Sequence, residues 1–236
     1  MDAAGYTALT RQSGLMREMQ VVANNIANIS TTGFRREGVV FEEYVARMDT
    51  GPSLSMANAS GRVVDLTQAG ISQTGAAFDF AIQGDGFFLI ETPNGERLTR
   101  AGSFTPSAAG ELMTNDGYRL LDQGGAPVFV PPTARAVTVA QDGSVAADGV
   151  PVARIGLWRP SDPLTLQHQA GTMFAADGIE PSDGGTILQG FLEDSNVNPV
   201  MEIARMIEVQ RAYELGQSFM DQEDKRVRAV VETLGR

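Results

Sequence analysis

Apolar side chains recur at helical spacing at both ends of this chain, and at neither end does the adjoining sequence offer a cover for them. Residues 4–29 carry Leu9, Met16 and Ala23 seven apart, Met19 and Ile26 on alternate positions, and Leu15, Val22 and Ile29 alongside. Residues 199–234 carry Met206, Tyr213, Met220, Val227 and Leu234 at steps of seven. Ile203 and Val231 are interleaved, and Ile207, Val209, Phe219 and Val230 lie beside them. Such a stripe is one face of an α-helix. Helices of this length are marginal alone in water and draw most of their stability from packing. Each buried Leu, Met or Ile contributes on the order of 1.5–3 kcal/mol. What covers the stripes therefore decides whether the ends fold, and their heptad-like regularity points to helix-on-helix packing. Packing on a β-domain of the same chain is the other solution.

The boundaries carry their own signals. Asp2 is a cap for the first helix, and Thr31-Thr32-Gly33 is its stop, because glycine adopts the left-handed conformation after a last turn. Asn198-Pro199 opens the second helix: asparagine caps, and proline at the first position loses no needed hydrogen bond. Gly216 costs about 1 kcal/mol inside a helix, so it marks a kink or the close approach of another backbone. Asn24, Asn25 and Asn28 are unusual beside an apolar stripe, since the asparagine amide competes for backbone hydrogen bonds. They bridge to a partner or a turn, or else mark a solvated last turn.

Between the ends the pattern changes. Residues 34–75 mix Gly, Ser, Asn and single apolar residues without a period, and read as an extended connector with short strands. Residues 76–185 read as a central all-β domain. Gly86–Phe104 is a hairpin around Asn94-Gly95, and Asp116-Gly117 and Asp142-Gly143 mark two more turns. The expected fold class is α+β, with residues 1–33 as the N-terminal helix and 186–236 as connector and C-terminal helix.

Composition removes several functions. A net charge of −11 lacks the basic face that nucleic acid demands, and disfavours anionic membrane surfaces. No stretch approaches the ~20 apolar residues that span a bilayer. With no cysteine and one histidine, zinc ligation and thiolate chemistry have no ligands to use. His168 sits in TLQHQAG, without a nucleophile elbow nearby, and reads as incidental. The Asp-Gly pairs at 85, 116 and 142 lack the spaced oxygens of a calcium loop and read as turns. The expectation is no catalytic residue, no cofactor and no metal. The N-terminus also lacks a basic region followed by an apolar one, so any export is expected to proceed without a cleaved signal peptide.

Three motifs, in order along nearly the whole chain, carry a resemblance. ANNIANISTTGFRR (Ala23–Arg36) resembles the N-terminal signature of bacterial flagellar rod and hook proteins. LEDSNVNPVMEIARMIEVQRAYE (Leu192–Glu214) is similar to their C-terminal signature. QTGAAFDFAIQGDGFFLIETPNG, LTRAGSF and GELMTNDGY look like their central module. Arg35 stands where lysine is usual, Phe80 where an aliphatic is usual, and Leu215-Gly216 where asparagine often follows. The resemblance implies a structural, non-enzymatic subunit of the basal-body rod, on its proximal side. A distal-rod or hook-type subunit is the alternative, and a secreted binding module or hydrolase a remoter one. It further implies terminal helices paired as a coiled-coil inner layer, with the β-domain outside. Export would run through the flagellar type III apparatus, and assembly with other rod subunits across the periplasm. The interface residues expected on this reading are Leu9, Leu15, Met16, Met19, Val22, Asn24, Asn25, Ile26 and Asn28 from the first helix. The second supplies Ile203, Met206, Ile207, Tyr213, Phe219, Met220 and Val227.

Overall fold

The computed structural model describes residues 3–46 and 54–234, with side chains for 7–41 and 61–233. The chain is α+β and divides into two units.

The first unit gathers helix α1 (Ala3–Ala27), strands β1 (Glu37–Ala46) and β2 (Leu54–Val64), which pair as a two-stranded sheet, and helix α2 (Pro199–Leu234). Asp2 and its cap lie outside the described residues. α1 stops at Ala27, six residues before Gly33. A turn follows, in which the Thr31 amide donates to the Asn28 carbonyl at 3.2 Å. α2 starts where the Asn-Pro pair places it: the Asn198 Oδ1 accepts from the amides of Val200 at 3.1 Å and Met201 at 3.2 Å. Residues 34–75, expected as an extended connector with short strands, hold strands of 10 and 11 residues besides the short Ile71–Gln73, because Val39, Val40, Phe41 and Val63 supply the β-branched and aromatic content a strand needs.

The second unit comprises residues 28–36 and 64–197. Its largest sheet has seven antiparallel strands in the order 167–168, 173–175, 95–99, 88–92, 119–120, 112–114, 104–106. The strand Phe88–Thr92 and its neighbour Gly95–Thr99 meet at Asn94-Gly95, with Gly95 at φ +95°. The run Phe87-Phe88-Leu89-Ile90 is continuous because both its faces are covered. Phe88 and Ile90 join a core with Phe80, Phe104, Leu112, Leu120 and Val145, while Phe87 and Leu89 join another with Val64, Leu98 and Phe174. Val137–Val139, Ser144–Ala147 and Val150–Arg154 form a three-stranded sheet through turns at Asp142-Gly143 and Asp148-Gly149.

Candidate assembly site

Within the first unit three side-chain links set the register of α1 on α2. Asn25 Nδ2 donates to Glu202 Oε2 at 3.1 Å, Arg205 Nε to Glu18 Oε1 at 2.6 Å, and Gln12 Nε2 to the Tyr213 carbonyl at 2.9 Å. As α1 numbers fall, α2 numbers rise, so the helices run antiparallel. The Arg205 guanidinium is held above its ordinary range: burial works the other way, but the hydrogen bond and charge of Glu18, aided by Glu208, outweigh it.

The inward line on α2 alternates steps of four and three. Glu202 and Val209 are buried, and Met206, Tyr213, Gly216, Met220 and Glu223 are half-buried. On α1 the covered face comprises Gln12, Gly14, Glu18, Val21, Val22 and Asn25, buried, with Leu15, Met19 and Ile26 half-buried beside them. Gly216 is thus a close approach: a Cβ there would sit 2.9 Å from Gln12 Nε2.

The remaining expected interface residues lie elsewhere. Leu9 (50 % exposed), Met16 (47 %) and Ala23 form a separate outer line on α1. Ile203, Ile207 and Phe219 are also exposed, joined by Val200, Met201 and Leu215, and Val227 is exposed on the continuation of the inward line of α2. Leu234 has no described side chain. α1 therefore has one covered face and a separate apolar line facing outward.

The asparagines separate likewise. Asn25 is fully buried, and its amide copies a peptide group: Nδ2 donates to the Glu37 carbonyl at 2.8 Å, and Oδ1 accepts the Glu37 amide at 3.0 Å. Asn28 Oδ1 accepts from the Thr31 hydroxyl at 3.1 Å, and Asn24 is half-buried and has a partner of its own. None is a solvated, frayed end.

In the second unit the two signature motifs meet. Asn196 Oδ1 accepts the Arg36 amide at 2.6 Å, and its Nδ2 donates to the carbonyls of Asp65 and Thr67 at 2.9 and 3.0 Å. The Gly33 amide donates to the Glu193 carbonyl at 2.8 Å. Gly33 has φ +71°, and a Cβ there would lie 2.2 Å from the Ala101 nitrogen, so only glycine fits. Behind this junction lies a buried ionic cluster that sequence reading missed. Glu193 Oε1 accepts from Arg35 Nη2 at 2.8 Å and the Ala69 amide at 3.0 Å, while Oε2 accepts from Arg100 Nη1 at 3.1 Å. Arg100 also donates to the Gly84 carbonyl at 2.7 Å and stacks on Phe87 at 5.3 Å. Burial pushes the Arg100 guanidinium down to about 10, despite the opposing pull of Glu193. The signals were Arg35, two residues after the glycine of the turn, and the acid of the second motif, but nothing local pairs residues so far apart.

His168 is half-buried and packs edge-on against Phe34 and Phe174, with ring centroids 5.5 and 5.3 Å apart. It acts as an aromatic spacer in the core. Among the described residues no group of three or more acids or histidines is placed to hold a metal, and no helix is long and apolar enough to cross a membrane.

A buried junction between the motifs, a helix pair with an outward apolar line and a β unit define a protein built for packing. Three family models match in chain order: the flagella basal body rod protein over residues 6–35, the flagellar hook protein FlgE/F/G D1 domain over 81–147, and the flagellar basal body rod FlgEFG protein C-terminal region over 188–232. The chain is 39% identical to the flagellar basal-body rod protein FlgF of Caulobacter vibrioides, covering 100% of this chain and 99% of that one. It is 40% identical to FlgF of Mesorhizobium japonicum, again over 100% and 99%. FlgG of Bacillus subtilis is 29% identical, over 96% of this chain and 97% of its own. The chain belongs to the FlgE/F/G family of flagellar rod and hook proteins. Within that family it is FlgF-like: a structural subunit of the basal-body rod, and not an enzyme.

Proposed function

We propose that this chain is a proximal-rod subunit that builds the axial shaft by packing its terminal helices against those of neighbouring subunits. The observation that carries this reading is the outer apolar line left over once α1 and α2 have covered each other: Leu9, Met16 and Ala23 on α1, with Val200, Ile203 and Ile207 exposed on α2. Six such residues facing water lose stabilisation that a neighbour's helix would restore. The helices α1 and α2 serve as a coiled-coil-like layer of the shaft, and the sheet of β1 and β2 belongs with them. The partners are other axial subunits of the same family. Delivery runs through the flagellar type III apparatus, without a cleaved leader, to a rod that spans the periplasm.

The half-buried residues Leu15, Met19, Met206, Tyr213 and Met220 act in this reading by shaping the helix pair, and the exposed ones by meeting neighbours. The test is complementation of a strain lacking the chain. Ile203→Asp with Ile207→Asp is expected to abolish rod assembly and swimming while leaving the far-ultraviolet circular dichroism of the purified protein unchanged. Normal swimming would refute the outer line as an interface. A distal-rod position is favoured less, because identity is 36–40% with the FlgF relatives and 29–32% with the FlgG relatives. Localisation in purified basal bodies separates the two.

A further inference from the structure

The rod reading leaves open which part of a neighbour each apolar line meets, and the register of α1 on α2 supplies an answer. Asn25 lies opposite Glu202, Glu18 opposite Arg205 and Gln12 opposite Tyr213. Continued at that spacing, the first described residue of α1, Ala3, falls opposite about residue 222 of α2. The inward line of α2 does not end there. Its alternation of four and three, through Glu202, Met206, Val209, Tyr213, Gly216, Met220 and Glu223, continues unbroken to Val227 and Val230. Those two are 43 % and 47 % exposed, and the adjacent Val231 is 63 % exposed. The same line is covered where it faces α1 and bare where it runs past it.

Resting on the rod reading, we propose that this end of α2 takes the outer line of a neighbouring copy's α1, the one formed by Leu9, Met16 and Ala23. Continuity argues for such an occupant. A line that accepts α1 over its first twenty residues is shaped for a helix with apolar residues at heptad spacing, and the outer line of α1 repeats every seven. The lengths match too: Leu9 to Ala23 spans about 21 Å, and Glu223 to Leu234 about 17 Å. The occupant is another chain, because Met16 of the same chain stands opposite about residue 209, roughly 27 Å up the helix from Val227. Each subunit then uses the covered face of α1 for itself and the outer line for its neighbour.

The chain has no cysteine, which makes cross-linking clean. A Met16→Cys, Val227→Cys double variant cannot close within one chain, since a disulfide requires Cα atoms within about 7 Å. After mild oxidation of purified basal bodies, dimers and higher ladders are expected on a non-reducing gel. They should disappear on reduction and be far weaker with either single variant. Gln12→Cys with Gly216→Cys, where a Cβ at Gly216 would already sit 2.9 Å from the Gln12 side chain of the same chain, is the control and should yield a closed monomer. Val230→Cys replaces Val227→Cys if the first pair is not built into rods. Monomer alone from assembled rods in both pairs, with the control closing, would overturn the inference and leave the rod reading standing. A tagged native chain missing from purified basal bodies would overturn both.

Discussion

Replacing Glu193 by alanine removes the single carboxylate between two buried guanidiniums. Arg35 is fully buried and Arg100 is 4 % exposed, so neither can turn to water for its lost partner. Three bonds vanish together: those from Arg35 at 2.8 Å, Arg100 at 3.1 Å and the Ala69 amide at 3.0 Å. Breaking a buried pair by deleting one side costs about 3–5 kcal/mol, because a charge is left uncompensated. For a protein of this size that is a fall in Tm of roughly 6–20 °C. Trp158, the only tryptophan, lies in the same β unit and reports its unfolding by fluorescence without interference from the helices. Glu193→Gln keeps the shape and one acceptor but no charge, and is expected to fall between wild type and Glu193→Ala. A shift of under about 2 °C for Glu193→Ala would refute the argument that this cluster holds the two motifs together.

Other perturbations test separate links. Asn25→Ala strands the Glu37 amide and carbonyl and is expected to cost at least about 2 kcal/mol, read as faster amide hydrogen exchange along α1. Gly33→Ala is expected to destabilise the β unit far more than Gly149→Ala. Both glycines have positive φ, but a Cβ meets backbone at 2.2 Å in the first case and nothing within 4 Å in the second; thermal melts of the two variants decide it. Asp65 is held below the usual carboxylate range: burial opposes this, but hydrogen bonds from the Thr67 hydroxyl and amide and the charges of Arg36 and Arg35 prevail. A depressed folded value means that its contribution is present above the ordinary value of 3.8 and is lost as pH falls below it. Urea titrations between neutral and strongly acidic pH are expected to show a shallower acid loss for Asp65→Asn than for wild type.

Much of the architecture is local information, and the residues displayed it. The helical period at each end, the Asn198-Pro199 start and the Asn94-Gly95 turn all rest on interactions within a few positions, so the chain alone determines them. The family motifs were legible for the same reason, being short and ordered. Where α1 ends was not: Gly33 looks like a helix stop, but its left-handed backbone serves the close passage of Ala101.

The sequence by itself determined that α1 carries apolar residues on more than one line, and could not rank them. Leu9-Met16-Ala23 keeps a strict spacing of seven, and Leu15, Met19, Val22 and Ile26 run beside it. Tertiary structure decided it, because the links from Asn25, Glu18 and Gln12 hold α1 on α2 with Gln12, Glu18, Val21, Val22 and Asn25 buried and leave Leu9, Met16 and Ala23 exposed. The ionic cluster is decided in the same way. A buried arginine is tolerable only if a distant acid arrives at hydrogen-bonding range, and residues 35, 100 and 193 meet only once the β unit has closed. Periodicity fixes which faces exist, and packing chooses which of them are covered.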